Sequence, residues 1–221
     1  MENNTSPPRP RGRPRGFDRA TALAKAAETF RHLGYEGASI ADLTAAMGIT
    51  PQSLYAAFSS KADLYREALA QYRATDGAAT AEALDAKIDV VDAFDRILTA
   101  SARQFSRVGQ PRGCMISTAT LTCAEENRPV AEYVSGLRAE AITAFQARIE
   151  RGIAEGDLMA GTDAPALARF LGAIIQGMSV QALDGATEAE LLGIAAIASA
   201  EVARHRRRPA PTPPGIDAPA R

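Results

Sequence analysis

Two stretches of the chain carry side chains suited to contacting nucleic acid. One is a polar and aromatic set, Pro51, Gln52 and Tyr55, on a short predicted helix. The other lies before the first predicted helix and crowds four guanidinium groups into seven positions, at Arg9, Arg11, Arg13 and Arg15. Guanidinium groups attract phosphate, and a short helix with a free polar face suits insertion into the major groove. Both stretches point to duplex DNA as a partner.

Residues 1–16 are polar, rich in proline and without periodicity, so we expect a disordered basic arm when DNA is absent. Within the arm, Arg11-Gly12-Arg13-Pro14 resembles the core of an AT-hook, in which an extended Arg-Gly-Arg lies in a narrow A·T minor groove. Alternatively, Arg11 and Arg13 add only general affinity for phosphate. The sequence leaves both interpretations open.

The elements that must present Gln52 are two short helices joined by a tight turn. Ser39 and Asp42 form a pair like a capping box at the start of the first helix. This helix ends at Gly48, which adopts a positive φ at little cost. Thr50 then caps the next helix. Two short helices joined around a glycine predict a helix-turn-helix.

The second of these helices is too short to be stable alone, so Leu54 and Phe58 must anchor it to its neighbours. A longer helix capped by Asp18 precedes the pair, and another follows it. The pattern predicts a DNA-binding domain over residues 17–75, with the helix-turn-helix at 39–58.

The rest of the chain is also predicted to be helical. Alanine is abundant, aromatic residues make up 5% and Trp is absent, which favours an all-α fold over strands. Periodicity predicts five helices between residues 82 and 205, at roughly 84–107, 114–124, 127–154, 163–183 and 187–205. Residues 206–221 are predicted to be a disordered tail.

The segment from Gly48 to Lys61 closely resembles the recognition-helix signature of the TetR family of bacterial regulators. Its setting agrees, because the first helix ends in Phe-x-x-x-Gly-Tyr-x-Gly and Ser-Ile-x-x-Leu follows. These residues are Phe30, Gly34, Tyr35, Gly37, Ser39, Ile40 and Leu43. The match covers residues 17–75, whereas the remainder agrees only in length and helical pattern. The resemblance implies a homodimer whose N-terminal domains bind operator DNA and whose C-terminal helices bind a small molecule and dimerise.

The resemblance also assigns roles to single residues. It implies that Pro51, Gln52 and Tyr55 contact base edges, and that Ser53 and Lys61 contact phosphates. Gln can bond adenine through two hydrogen bonds, and Pro or Tyr can touch a thymine methyl.

Thr50 is mainly a cap, although its position permits a DNA contact. One departure concerns the two positions after Tyr55, which are often larger polar or aromatic groups in the family. Here they are Ala56 and Ala57, which removes one phosphate contact. The predicted recognition face is therefore sparse, and the arginine arm and Lys61 would supply much of the affinity.

Charge and motifs limit the other classes of function. Residues 1–75 carry ten Lys/Arg against seven Asp/Glu, while residues 76–221 carry fifteen against nineteen. Such an asymmetry suits a nucleic-acid-facing N-terminus. No catalytic, phosphate-loop or dinucleotide motif is present, so we expect neither an enzyme nor a cofactor. The absence of an apolar leader or long apolar run predicts a cytoplasmic protein without a membrane span.

The effector site is predicted to be a cavity between the central helices. Its candidate lining residues, which could equally be plain core, are Phe94, Phe105, Met115, Tyr133, Phe145 and Met178. An alternative is a thiol or metal sensor that uses Cys114 and Cys123, against a default of structural thiols. The acidic run Asp85, Asp89, Asp92 and Asp95 is interpreted as a solvated face rather than a cation site.

The last two predicted helices have apolar faces wider than one neighbour would bury, which indicates a homodimer. By resemblance the protein is more often a repressor than an activator, released from a palindromic operator when an effector changes the separation of its recognition helices. The alternative is a DNA-binding dimer that takes no small molecule.

Overall fold

A computed structural model describes residues 17–207. The predicted arm, residues 1–16, and residues 208–221 of the predicted tail lie outside this range. The described chain is all-α, and its contacts divide it into two compact units between Ala68 and Leu69. The division falls inside a helix, and each unit is described here by itself.

The N-terminal unit is built from three complete helices and the beginning of a fourth. They are α1 (Arg19–Gly37), α2 (Ile40–Met47), α3 (Pro51–Phe58) and α4 (Lys61–Thr75). The predicted Asp18 cap is confirmed, because its carboxylate accepts hydrogen bonds from the first turn of α1. The backbone breaks at Gly34, where φ is 69° and ψ is 175°, before one further turn completes α1.

That break buries an aromatic cluster in this unit. Tyr35, one residue after Gly34, packs 5.1 Å from the ring of Tyr65 on α4, measured between centroids. The ring of Phe30 meets Tyr65 edge-on at 4.8 Å. All three side chains are buried, so this aromatic cluster packs α1 against α4.

The C-terminal unit contains the rest of α4 and five further helices. They are α5 (Ala78–Asp85), α6 (Val90–Phe105), α7 (Arg128–Glu155), α8 (Ala164–Leu183) and α9 (Glu188–Arg204). The last three agree with the predicted helices to within two residues. The apolar faces of α6, α7, α8 and α9 enclose one continuous core.

The prediction of one helix over 84–107 was wrong, since α5 and α6 are separate. The chain turns between them, and Arg151 of α7 donates to the carbonyls of Leu84 and Ala86 at 2.6 and 3.2 Å. Asp89 then caps α6 through its carboxylate. A partner 65 residues away in the sequence thus replaces the helical hydrogen bonds.

The predicted helix at 114–124 was also wrong, because this segment is a series of turns. The amide of Cys114 donates to Ser179 Oγ on α8 at 2.8 Å, and Arg138 on α7 binds two carbonyls of the segment. Thr120 has a positive φ of 46°, which a helix cannot contain. Side chains of α7 and α8 thus form hydrogen bonds with backbone groups of this segment, in place of the hydrogen bonds of a helix.

Arg206 and Arg207 were predicted to begin a disordered tail, and this was wrong for both. Arg206 pairs with Leu158 in an isolated antiparallel bridge. Its guanidinium lies 3.0 Å from the Asp89 carboxylate and 3.3 Å from that of Asp92. Two members of the acidic run are therefore bound to the end of the C-terminal unit. A third, Asp95, accepts a hydrogen bond from the Ser199 hydroxyl of α9 at 2.8 Å, and Asp85 is exposed.

Among the described residues, α8 is the one helix long and apolar enough to cross a membrane by length and composition. Its inward residues pack into the core with α6, α7 and α9. Core helices of soluble proteins pass the same test, so this observation carries no argument for a membrane span.

Candidate DNA-binding surface

The turn between α2 and α3 has the geometry that the sequence predicts. Ser39 and Asp42 exchange both bonds of a capping box, and hydrogen bonding to Ser39 lowers the pKa of the Asp42 carboxyl from its ordinary value. Gly48 ends α2 in the left-handed conformation, with φ 69° and ψ 33°. The amide of Ile49 then bonds to the carbonyl of Thr44 at 3.2 Å. The chain therefore turns between α2 and α3 within these few residues.

Thr50 starts α3 as a true N-cap. Its hydroxyl oxygen accepts the amide hydrogen bond of Ser53 at 3.1 Å, and Pro51 occupies the first turn. Leu54 and Phe58, the two predicted anchors, are 0% and 2% exposed. Their burial fixes the rotation of α3 about its own axis.

That rotation leaves a polar face outward. Pro51, Gln52, Tyr55 and Ala56 are exposed, with 48% of Tyr55 accessible. Ser53 is half-buried, and its hydroxyl lies 3.0 Å from that of Thr50. The predicted base-reading residues therefore share one free surface, with the Thr50–Ser53 hydroxyl pair at its edge.

Lys61, the predicted phosphate contact, sits at the start of α4. Its ammonium lies 4.5 Å from the centroid of the Tyr35 ring. Burial lowers the pKa of Lys61 from its ordinary value, and the nearby Glu36 carboxylate offsets part of that shift. The aromatic face holds the lysine in one place, which reduces the entropy lost when it binds an anion.

Arg19 is a structural contributor to this surface that sequence reasoning missed. Its guanidinium bonds both carboxylate oxygens of Glu67 at 2.7 and 2.8 Å and the carbonyl of Ala57 at 3.3 Å. It also lies 4.4 Å from the centroid of the Phe58 ring. One side chain thus joins α1, α3 and α4. Its partners are 38 and 48 residues away, so no local spacing could have indicated them.

Phe17, the first described residue, lies beside the beginning of α3. It lines a shallow surface groove together with residues of α2, the turn and α3, among them Thr50, Pro51 and Ser53. The described chain therefore begins next to the exposed face of α3. Arg11 and Arg13, which were predicted to bind DNA, lie outside the described residues.

The structure brings four of the six predicted effector residues into one core cluster. Phe94 and Phe145 meet edge to face with centroids 5.6 Å apart, and Phe105 and Met178 belong to the same cluster. Met115 is buried in the segment after α6, and Tyr133 is half-buried on α7.

Cys114 and Cys123 are free thiols, and both are half-buried in the segment of turns between α6 and α7. The Cys114 sulfur lies 3.5 Å from the amide of Ile116, which donates to it. Within residues 17–207, no group of three or more His, Cys, Asp or Glu side chains could hold a metal ion.

A capped and anchored helix that follows a glycine turn with a free polar face defines a helix-turn-helix DNA-binding protein. Residues 22–68 match the family described as bacterial regulatory proteins, tetR family. Residues 90–196 match the family described as tetracyclin repressor-like, C-terminal domain. The chain belongs to the TetR family and is a DNA-binding transcriptional regulator.

Similar proteins agree with this assignment. The HTH-type transcriptional repressor ComR of Escherichia coli (strain K12) is 34% identical over 84% of this chain and 89% of its own length. The HTH-type transcriptional repressor BdcR of the same organism is 29% identical over 85% and 90%. A cysteine-substituted variant of the TetR family transcriptional regulator CifR, solved with a 26-bp double-strand operator DNA, is 43% identical. It matches 86% of this chain and 98% of its own with a TM-score of 0.82.

Replacing Thr50 tests the cap that starts α3. We expect Thr50→Ala to lower the free energy of unfolding of the DNA-free protein by about 1 kcal/mol, because the Ser53 amide loses its acceptor. Thr50→Ser keeps a hydroxyl and should retain most of that stability. Urea unfolding followed by circular dichroism measures both variants. Equal stability of Thr50→Ala and the parent protein would contradict a role for this cap.

Proposed function

We propose that this protein is a repressor that binds a palindromic operator as a homodimer and is released by a small-molecule effector. The observation that carries the proposal is the free face of α3, on which Gln52 and Tyr55 stand outward while Leu54 and Phe58 are fully buried. A helix anchored in this way can enter the major groove without rearranging the domain beneath it. The protein would act in the cytoplasm, as a regulator and not as an enzyme.

In this proposal Pro51, Gln52 and Tyr55 read base edges. Ser53 and Thr50 act together on a phosphate, since their paired hydroxyls use one hydrogen between them and keep the other to donate. Lys61 contacts a second phosphate from its position over the Tyr35 ring.

Gln52→Ala tests the base-reading role. We expect operator affinity to fall about 5- to 150-fold, which corresponds to the roughly 1–3 kcal/mol of a bidentate contact. The melting temperature should not change, because Gln52 is exposed and outside the core. A footprint of the purified protein on the DNA upstream of its own gene defines the duplex, and fluorescence anisotropy with that duplex measures the affinity.

Gln110→Ala is the matched control, since it removes an equally exposed amide from the segment after α6. The same loss of affinity in both variants would contradict the assignment of base reading to α3.

The dimer is proposed to form through α8 and α9. Large apolar side chains are exposed on both helices, namely Val180 at 44%, Leu183 at 53% and Ile197 at 74%. Exposed alanine and glycine residues beside them, Ala173, Gly193 and Ala196, would let a second copy approach closely. A twofold pairing of these faces would bury them in a four-helix interface.

Ile197→Glu tests this interface. We expect the variant to be monomeric and to bind the full operator much more weakly, while its helix content stays unchanged. Met159→Glu is the control, because it places the same charge on an exposed apolar side chain between α7 and α8. Sedimentation velocity reports the association state. If the Ile197→Glu protein is still a dimer, α9 does not form the proposed interface.

The effector is proposed to act on the core between α6, α7 and α8, where Phe94 and Phe145 meet edge to face and Met178 belongs to the same cluster. These side chains are closely packed, so a ligand must separate them and thereby shift the helices that carry the dimer. The Cys114 and Cys123 alternative differs chemically, because a thiol reagent would modify the segment between α6 and α7.

A screen of small apolar and weakly acidic compounds tests the effector role. We expect a true effector to raise the melting temperature of the free protein and, by linkage, to weaken operator binding. If the Cys114→Ser/Cys123→Ser variant still responds to the compound, the effector acts on the core. If that variant no longer responds, the effector acts through the thiols. A protein that releases DNA for none of the compounds would support the dimer without a ligand.

A further inference from the structure

We propose that a pocket between the end of α6 and the start of α9 binds a small phosphate monoester. The pocket has a volume of about 410 Å³, within the roughly 300–1,000 Å³ of small-molecule sites. Arg103, Arg107 and Arg112 line it together with Val108 and Glu188. None of its lining residues belongs to the core cluster proposed for the effector. The site lies in the C-terminal unit and does not depend on operator binding.

The first support is an excess of positive charge. Three guanidinium groups and one carboxylate line the pocket, so the positive charges exceed the negative by two. The Arg103 guanidinium and the Glu188 carboxylate lie 3.8 Å apart, and both side chains are more than half exposed. Such a loose, hydrated ion pair is weak, so an incoming anion can displace Glu188 from Arg103. The excess of two matches the charge of roughly −1.5 to −2 that a phosphate monoester carries at pH 7.

The second support is the set of donors that remain for a ligand. The Ser106 hydroxyl donates to a backbone carbonyl of the last turn of α6 at 2.7 Å, and the Thr187 hydroxyl belongs to the capping box of α9. Arg112 donates through one Nη to the Ala186 carbonyl. Its Nε is buried and has no acceptor among residues 17–207. The hydroxyls are therefore committed, and the guanidinium groups are left to bind an anion.

The third support is that the backbone beside Arg112 is held in place without a ligand. Gly113 has a φ of 76°, and its amide donates to the carbonyl of Phe105 at the end of α6 at 3.0 Å. The next amide, that of Cys114, donates to Ser179 Oγ on α8 at 2.8 Å. The segment that carries Arg112 is thus fixed to two helices, so less entropy is lost when its guanidinium binds an anion.

The helix dipoles do not explain this cluster. Arg103 lies in the last turn of α6, where a cation is favourable. Arg112, by contrast, bonds the carbonyl of Ala186, directly before Thr187, the N-cap of α9. The partial positive charge at the start of a helix disfavours a cation there. An anion in the pocket would be attracted both by the guanidinium groups and by the start of α9.

Val108 indicates the nature of the rest of the ligand. Its side chain lines the pocket and is 96% exposed. An apolar group that covered this side chain would remove apolar surface from water, which favours binding. The pocket is therefore assigned to a phosphate monoester with a small apolar body, and not to inorganic phosphate.

Phenyl phosphate is the probe, and the test uses the full chain in a phosphate-free buffer at constant ionic strength. Isothermal titration calorimetry compares its affinity with those of two other anions. Inorganic phosphate lacks the apolar group, and phthalate is an aromatic dianion that carries carboxylates instead of phosphate. We expect phenyl phosphate to bind at least about tenfold more tightly than either.

Three variants separate the pocket from general charge. Arg103→Gln/Arg107→Gln removes two exposed guanidinium groups, and we expect it to weaken phenyl phosphate binding at least about tenfold without changing the melting temperature of the free protein. Arg96→Gln is the matched control, since it removes an exposed arginine from the same helix and should bind the probe like the parent. Val108→Ser should reduce the affinity for phenyl phosphate and leave that for inorganic phosphate unchanged.

Other results would overturn the inference in different ways. A Kd for phenyl phosphate above about 1 mM would exclude a ligand site of this class. Unchanged affinity in Arg103→Gln/Arg107→Gln would place the probe elsewhere, and an equal loss in Arg96→Gln would reduce the effect to general charge. Equally tight binding of phthalate would remove the assignment to phosphate. Binding only to the monomeric Ile197→Glu variant would show that a second subunit covers the pocket. None of these results bears on operator binding by α3.

Discussion

An eight-residue helix has no independent stability in water, and the DNA-binding surface depends on how α3 overcomes that limit. Leu54 and Phe58 are buried against the neighbouring helices, and Thr50 supplies the cap that the first turn lacks. Arg19 closes the far end by joining Ala57 to Glu67 on α4. The helix is therefore held at both ends and along its inner side, while the side chains on its outer side are exposed and take no part in holding it.

This arrangement separates the residues that hold α3 from those that would read DNA. A substitution at Gln52 or Tyr55 changes a surface side chain and leaves the anchors untouched. A substitution at Phe58 or Arg19 would instead remove a contact that holds α3 in place. Because Gln52 and Tyr55 lie outside the core, substitutions there would change the proposed base contacts at little cost in stability.

Local sequence rules predicted the N-terminal unit well because its elements end where their own residues dictate. The caps at Asp18 and Thr50, the capping box at Ser39 and the left-handed Gly48 each involve residues at most five apart. All three base-reading candidates proved to be exposed on one face. Arg19 was missed because its partners come from two other helices, and no spacing within α1 indicates them.

The same limit explains the errors in the C-terminal unit. The segment 114–124 contains residues that tolerate a helix, yet Ser179 and Arg138 take its backbone groups. Arg151 likewise stabilises the turn between α5 and α6, which periodicity alone had joined. Where a distant side chain satisfies the backbone, the local pattern no longer decides the structure.

A palindromic operator places two half-sites about one helical turn, or 34 Å, apart, so a dimeric regulator must hold two recognition helices at that separation. The N-terminal unit cannot set this distance, because its core is complete within one chain.

In the proposed dimer a second copy would bury the exposed apolar faces of α8 and α9, two helices whose inward residues share one core cluster with Phe94, Phe145 and Met178. A close-packed core deforms by discrete steps and not continuously. An effector entering it would therefore change the dimer as a whole, and small displacements beside these rings would become a misfit at both half-sites.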